Sequence, residues 1–148
     1  MGYTDQHGFS LLEVLGALAL MAIIAAIAFP GWSKLLPSVH LDSAARQVQS
    51  ELHNIKMRAA AEKVGFQLAY TAGANSYTIQ RDSQTLITKP LSGKTIITKE
   101  GTILLSPRGT ASGNRVRLRS EIGTCKQVVV SSTGRIRICT PTSCAEDC

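Results

Sequence analysis

Residues 1–30 read MGYTDQHGFSLLEVLGALALMAIIAAIAFP. A short polar stretch comes first, and the segment from Phe9 to Phe29 is then apolar apart from Ser10, Glu13 and two glycines. At a rise of 1.5 Å per residue, such a segment forms a helix of about 30 Å, which matches the hydrocarbon core of a bilayer. The opening of the chain therefore predicts a helix of membrane-spanning length.

Two ordinary explanations of this segment each fail to account for one or more of its features. A secretory signal peptide would account for the Ala26-Ile27-Ala28 cleavage pattern, but the apolar run is longer than usual and it contains Glu13. A plain single-pass anchor accounts for the length. It gives no reason for Glu13, because a carboxylate at mid-membrane costs about 2.5–3.5 kcal/mol and calls for a charge partner.

A third explanation accounts for the glycine, the length and the acid together. The string Gly8-Phe9-Ser10-Leu11-Leu12-Glu13 resembles the type IV prepilin signature. The resemblance implies cleavage between Gly8 and Phe9 by prepilin peptidase, and N-methylation of Phe9. It also implies that Glu13 serves filament assembly by neutralising the N-terminal amine of a neighbouring subunit. The implied place is the bacterial inner membrane, with a single pass, a periplasmic C-terminal head, and other pilins or pseudopilins as filament partners.

The remaining sequence predicts an α+β architecture with an antiparallel β-sheet, and the resemblance implies a pilin-like fold in which a long N-terminal helix packs on that sheet. A helix is predicted from apolar residues that recur at steps of three and four: Leu41, Ala45, Val48, Leu52, Ile55 and Ala59. Asp42 or Ser43 is its expected N-cap. Pro30 lies where many pilins have a proline, and the resemblance implies a helix kink there, at the membrane boundary. The predicted layout is a leader at 1–8, a transmembrane and filament-core helix at 9–30, and a head at 31–148 with an amphipathic helix at 39–63, a sheet at 64–140 and a Cys-rich tail at 141–148.

Seven strands are predicted from runs of β-branched and apolar residues bounded by turn residues. They are 65–70, 77–81, 95–98, 102–105, 114–119, 126–130 and 135–139.

The four cysteines lie in the last quarter of the chain, at Cys125, Cys139, Cys144 and Cys148. They form no CxxC pair and have no nearby histidine, so their spacing does not suggest a zinc site. An even number of cysteines in a small exported domain predicts disulfides, with three pairings open. No metal or cofactor is expected, and no catalytic constellation is visible, so we expect a protein that is not an enzyme.

The net charge of +6 is concentrated between Arg81 and Cys139, where eleven basic residues face three acids. Such an excess favours polyanionic partners, although it also suits a merely solvated face. Within it, arginines alternate with apolar residues on two predicted strands, and this places the guanidinium groups on one outer face of each strand. These residues are Arg115, Arg117 and Arg119 on the first strand, and Arg135 and Arg137 on the second.

The stretch from Val128 to Cys139 resembles the C-terminal segment of GspH/FimT-type minor pilins. In FimT-like members a G-R-x-R motif there is associated with DNA binding in natural transformation, and Gly134, Arg135 and Arg137 match it. The resemblance implies contacts to the backbone of duplex DNA without sequence readout. Two functions stay open: a DNA-binding minor pilin of a type IV pilus, and a GspH-like structural pseudopilin of type II secretion that binds no DNA.

Overall fold

A computed structural model of the chain describes residues 10–147, without the side chains of residues 28–34. The chain divides into two compact units, residues 1–35 and residues 36–148. The helical element α1 spans Leu11–Glu62 and therefore contributes to both units. In the part of the chain that the structure describes, no helix is long and apolar enough to cross a membrane.

In the first unit, the side chains of residues 10–27 are exposed. They include large apolar groups such as Leu11 and Leu12, each 80% exposed, and Met21. Exposed apolar surface of this extent is typical of segments that contact lipid or another protein. The predicted kink at Pro30 involves a side chain that lies outside the described residues.

In the second unit, the helix buries one face, as its spacing predicts. All six residues predicted to form that face are at most 2% exposed: Leu41, Ala45, Val48, Leu52, Ile55 and Ala59. The predicted N-cap is wrong, because Asp42 and Ser43 lie inside α1. The Asp42 carboxylate accepts hydrogen bonds from the side chains of Arg46 and Lys126 instead of capping backbone N–H groups.

Within residues 63–147, eight strands follow the helix, one more than predicted. They are β1 (Phe66–Tyr70), β2 (Ser76–Arg81), β3 (Gln84–Pro90), β4 (Ile96–Ile97), β5 (Gly101–Leu105), β6 (Asn114–Arg119), β7 (Cys125–Val130) and β8 (Ile136–Cys139). The strand missed by the sequence analysis is β3, an edge strand whose residues are mostly exposed.

The strands form two antiparallel sheets where a single sheet was predicted. The first has the order β3-β2-β1-β5 and the second the order β4-β6-β7-β8. The two strands predicted on either side of residues 99–101 thus belong to different sheets, because β4 pairs with β6 and β5 pairs with β1. Apolar side chains of both sheets join the buried helix face in one core, among them Phe66, Ile103 and Val128.

Three tight turns of the head share one geometry, at residues 106–110, 120–124 and 131–135. Each has Ser first and Gly fourth, and the backbone N–H of the first residue donates to the carbonyl of the fifth. The glycine N–H donates back to the first carbonyl, and its φ lies between 76 and 84°. This is the pattern of a tight turn followed by a bulge, in which the fourth residue has a left-handed backbone conformation. Glycine adopts that conformation without strain.

Candidate nucleic-acid interface

The predicted basic strands lie on either side of β7 in the second sheet. Arg115 of β6 is opposite Val129 of β7, and Val129 is opposite Arg137 of β8. Residues directly opposite each other share one face of a sheet, so both arginines lie on the same face. With neighbouring strands about 4.8 Å apart, their backbones are about 10 Å apart.

The opposite face of these strands belongs to the core, as the alternation predicts. Val116 and Leu118 of β6 are fully buried, and Ile136 of β8 is 8% exposed. The core side chains therefore orient the arginines toward the outer face, which is what gives this sheet a basic surface.

Arg135 and Arg137 form the exposed part of that surface. Both side chains are exposed, and they line an open depression together with Val129, Ser131 and Thr133. Among the residues that the structure describes, no carboxylate pairs with either arginine. Two uncommitted guanidinium groups beside an open depression can each reach phosphate oxygens of a nucleic-acid backbone.

Gly134, the first residue of the G-R-x-R match, has a structural role in the turn between β7 and β8. It is buried and has a φ of +76°, and a Cβ built on it would overlap the carbonyl oxygen of Gly109. The Nζ of Lys56 donates a hydrogen bond of 2.8 Å to the Gly134 carbonyl, which ties the turn to α1. The glycine thus positions the two arginines without presenting any ligand group of its own.

Arg115 and Arg117 are placed differently from Arg135 and Arg137. Their side chains are only 32% and 19% exposed, and both contact one oxygen of the Asp147 carboxylate. The Nη1 of Arg115 is 2.6 Å from that oxygen. Arg119, the third predicted arginine of β6, is exposed at the end of the strand. The structure therefore places Arg115, Arg117, Arg119 and Arg137 on one sheet and Arg135 in the turn just before β8, where the predicted strand 135–139 began one residue too early. Arg119, Arg135 and Arg137 are exposed.

Arg115 and Arg117 are covered by the segment after β8, residues 141–147, which we call the tail. A disulfide joins Cys144 of the tail to Cys125 of β7, which confirms that the chain carries a disulfide and gives one pair. Cys139 is also disulfide-bonded, and Cys148 lies outside the described residues. The buried Gln127 side chain donates a hydrogen bond of 2.5 Å to the Glu146 carbonyl.

Many basic residues of the segment from Arg81 to Cys139 are neutralised in the folded head by acidic residues that lie nearby in space. Counting only partners among the described residues, six of the eleven basic residues between Arg81 and Cys139 form ion pairs, mostly with acids from other parts of the chain: Arg81 with Glu62, Lys89 with Glu51, Lys94 with Glu121, Lys126 with Asp42, and Arg115 and Arg117 with Asp147. Hydrogen bonds from Lys126 and Arg46 lower the pKa of Asp42, so this carboxylate stays ionised to a lower pH than an unpaired aspartate would.

The predicted processing residues lie at the other end of the chain. Gly8 and Phe9 are outside the described residues. Glu13 lies in the first turn of α1 with its side chain exposed, where a carboxylate interacts favourably with the helix dipole.

Comparison with known proteins bears on both ends of the chain. The family model described as the prokaryotic N-terminal methylation motif matches residues 3–29. The fold is similar to that of the minor pseudopilin EpsH from the Type 2 Secretion System of Vibrio cholerae, with a TM-score of 0.59 at 10% identity over 70% of this chain and 99% of that chain. It is also similar to that of the type IV minor pilin FimU of Pseudomonas aeruginosa, with a TM-score of 0.53 at 16% identity over 70% of this chain and 99% of that chain.

The comparison with curated proteins found no match. The matched motif covers the segment that carries the prepilin signature, and the two solved structures share the α+β fold of the head. The predicted resemblance is therefore confirmed in motif and in fold: the chain carries the prokaryotic N-terminal methylation motif, and its fold is similar to that of a minor pseudopilin and a minor pilin.

Proposed function

We propose that this chain is processed as a prepilin and assembles into a filament with other pilins or pseudopilins. Prepilin peptidase cleaves between Gly8 and Phe9, the new Phe9 amine is methylated, and residues 9–30 hold the protein in the inner membrane with its head in the periplasm. The apolar, exposed surface of residues 11–27 supports this proposal, because it offers one continuous face to lipid and then to neighbouring helices. Glu13 pairs with the N-terminal amine of the next subunit.

The N-terminus of the mature protein tests the processing step. Mass spectrometry of the chain produced together with a prepilin peptidase is expected to find a protein that begins with methylated Phe9. A Gly8→Ala variant is the matched control, since it removes the glycine before the cut and should leave the leader in place. A mature protein that begins at Phe29 would instead support the signal-peptide explanation of the same segment.

We further propose that the head binds duplex DNA without sequence preference, through Arg135 and Arg137. The observation that carries this proposal is that both guanidinium groups are exposed on one face and, among the described residues, have no carboxylate partner. Because a phosphodiester backbone is the same at every step, contacts of this kind give affinity without reading sequence. A DNA-binding minor pilin would serve natural transformation by a type IV pilus.

Fluorescence anisotropy of labelled duplex DNA, titrated with the full chain in a non-ionic detergent at several salt concentrations, tests this function. The Arg135→Gln/Arg137→Gln variant is expected to lower the log–log salt slope by about 1.8, because each lost phosphate contact removes about 0.9. Arg46→Gln/Arg81→Gln is the control, since it removes the same charge from residues outside the second sheet. A control that weakens binding as much as the test variant would mean that only net charge matters.

The alternative function is a structural pseudopilin of type II secretion that binds no DNA. The observation that favours it is the extent to which the chain neutralises its own basic residues, including the cover over Arg115 and Arg117. In that case the full chain binds no duplex at low salt, and the arginines serve only the stability and solubility of the head.

A further inference from the structure

One carboxylate oxygen in the tail is shared by two arginines of β6. Asp147 Oδ1 lies 2.6 Å from the Nη1 of Arg115 and also contacts the Nη2 of Arg117. The two guanidinium groups are half-buried, whereas Asp147 is 53% exposed. Carboxylate and phosphate offer guanidinium the same kind of acceptor oxygen, so this pair of arginines is an anion site that the chain fills itself.

The carboxylate leaves part of this site unused. The Nε of Arg117 is buried and has no hydrogen-bond partner among the described residues. The contact of Arg115 Nη1 is an ion pair without hydrogen-bond alignment. A buried donor without an acceptor is unfavourable, and a group with more acceptor oxygens than one carboxylate oxygen could satisfy these donors better.

The tail holds the carboxylate over this site by two further contacts. Asp147 follows Cys144 by three residues, and Cys144 is joined to Cys125 of β7. The carbonyl of Glu146 accepts the hydrogen bond from Gln127 on the same strand. A tethered anion has a high effective concentration at its site, so it competes strongly with an anion from solution.

The covered site is continuous with the exposed one. Arg115 and Arg137 share a face of the sheet with only Val129 between them. A duplex that contacts Arg135 and Arg137 would therefore lie beside Arg115 and Arg117, and the tail carboxylate would stand between its phosphates and those two arginines.

We propose that Asp147 is an intramolecular competitor for backbone phosphate: the tail keeps Arg115 and Arg117 out of the DNA-binding surface until the carboxylate leaves them. This inference rests on the proposed DNA binding and adds a regulation to it. While the carboxylate is in place, the head presents Arg119, Arg135 and Arg137. Displacement of the Asp147 carboxylate, with the disulfide of the tail intact, adds Arg115 and Arg117, which increases both the affinity for duplex DNA and the salt dependence of binding.

The anisotropy experiment on the full chain tests this with Asp147→Asn, which removes the charge and keeps the size of the side chain. At about 0.1 M salt we expect duplex binding to tighten about five- to tenfold, because one added phosphate contact contributes a factor of about eight there. Asp82→Asn is the matched control. It removes one acid from the turn between β2 and β3 in the other sheet, where its φ of 45° suits Asn equally well, and should tighten binding less than twofold.

A double-mutant cycle shows whether the gain passes through the two arginines. Arg115→Gln/Arg117→Gln should change binding little in the wild-type background and should abolish the gain in the Asp147→Asn background. Asp147→Glu restores the carboxylate and should return binding to the wild-type level. Thermal unfolding of each variant checks that the head stays folded, and Asp147→Ser gives the same loss of charge if the Asn variant unfolds.

The outcomes separate this inference from the function on which it rests. If no variant binds DNA, the proposed function itself fails. If the wild type binds through Arg135 and Arg137 but Asp147→Asn and Asp147→Ser bind no more tightly, the function stands and the competition by the tail is refuted. A gain that persists without Arg115 and Arg117 would also refute it, since the gain would then come from net charge.

Discussion

Gly134 offers a test of whether the G-R-x-R turn depends on close packing against the neighbouring loop. In the Gly134→Ala variant, a left-handed conformation costs a non-glycine residue about 1 kcal/mol. The new Cβ would also overlap the Gly109 carbonyl oxygen and lie 3.1 Å from the Nζ of Lys56. The loop must then move away, at the expense of two hydrogen bonds that each contribute about 1 kcal/mol: Lys56 Nζ to Gly134 O, and Ala111 N to Ser132 O.

The expected loss in free energy of unfolding is therefore about 3 kcal/mol in total. Urea unfolding in non-ionic detergent, followed by tyrosine absorbance, measures it, because Tyr70 and Tyr77 are both buried. Gly123→Ala is the matched control. Gly123 occupies the same position in the turn before β7, with a φ of +84° and nothing within 4 Å of its added Cβ, so only about 1 kcal/mol is expected. Equal losses in the two variants would refute the packing argument.

Two predictions concern pH. The folded-state pKa of Asp42 is lowered by hydrogen bonds from Lys126 and Arg46, so its contribution is complete above the unfolded value of 3.8 and is lost as the pH falls through the lower folded value. An acid unfolding series should therefore show a shallower acid limb for Asp42→Asn than for the wild type, and parallel limbs would contradict this. Burial raises the pKa of Tyr70 and Tyr77 to about 12 from 10.0, so the unfolded state loses its phenolic protons first and stability should fall as the pH rises from about 10 to 12. Spectrophotometric titration checks this, and ionisation of every tyrosine near pH 10 in the folded protein would contradict it.

Much of the head could be predicted from the period of its apolar residues. The helix face from Leu41 to Ala59 and the alternation around Val116 are direct consequences of burial on one side, and burial repeats with the period of the element. β3 was missed because the turn before it contains no glycine. Asp82 and Ser83 both have positive φ, at 45 and 69°, in a two-residue turn where glycine is the usual signal. Such a turn is invisible to a search that relies on glycine and proline.

The division into two sheets could not be predicted from local sequence. Residues 98–100 between β4 and β5 resemble the connection of a hairpin. The backbone N–H of Thr98, however, donates to the carbonyl of Arg117 in β6 and not to β5. The pairing of the strands depends on long-range packing against the helix, so it cannot be predicted from the period of the apolar residues. The repeated pattern of Ser followed three residues later by Gly, which marks three similar turns, is a local signal that could have been used.

At the candidate interface, sequence predicted the face but not its accessibility. Arg117 and Asp147 are thirty residues apart, and their contact depends on the disulfide between Cys125 and Cys144, whose pairing was one of three open choices. The predicted excess of basic residues was a count over one segment, whereas Asp42, Glu51, Glu62 and Asp147 come from outside it. Charge along a chain therefore overstates the charge that a folded surface offers to a polyanion.

Loss of the contact between Asp147 and the arginines of β6 would have different effects in a DNA-binding pilin and in a structural pseudopilin. If the β6 arginines serve only the stability of a structural pseudopilin, Asp147→Asn leaves two half-buried cations without an anion, so the melting temperature falls and DNA binding is absent throughout. If they form a reserve DNA surface, the same variant is destabilised alone but regains stability when duplex is added, because a ligand that binds only the folded state stabilises it. Melting the wild type and Asp147→Asn with and without duplex thus distinguishes them: a larger DNA-dependent rise for the variant supports the competing tail, and no rise for either protein supports the structural pseudopilin.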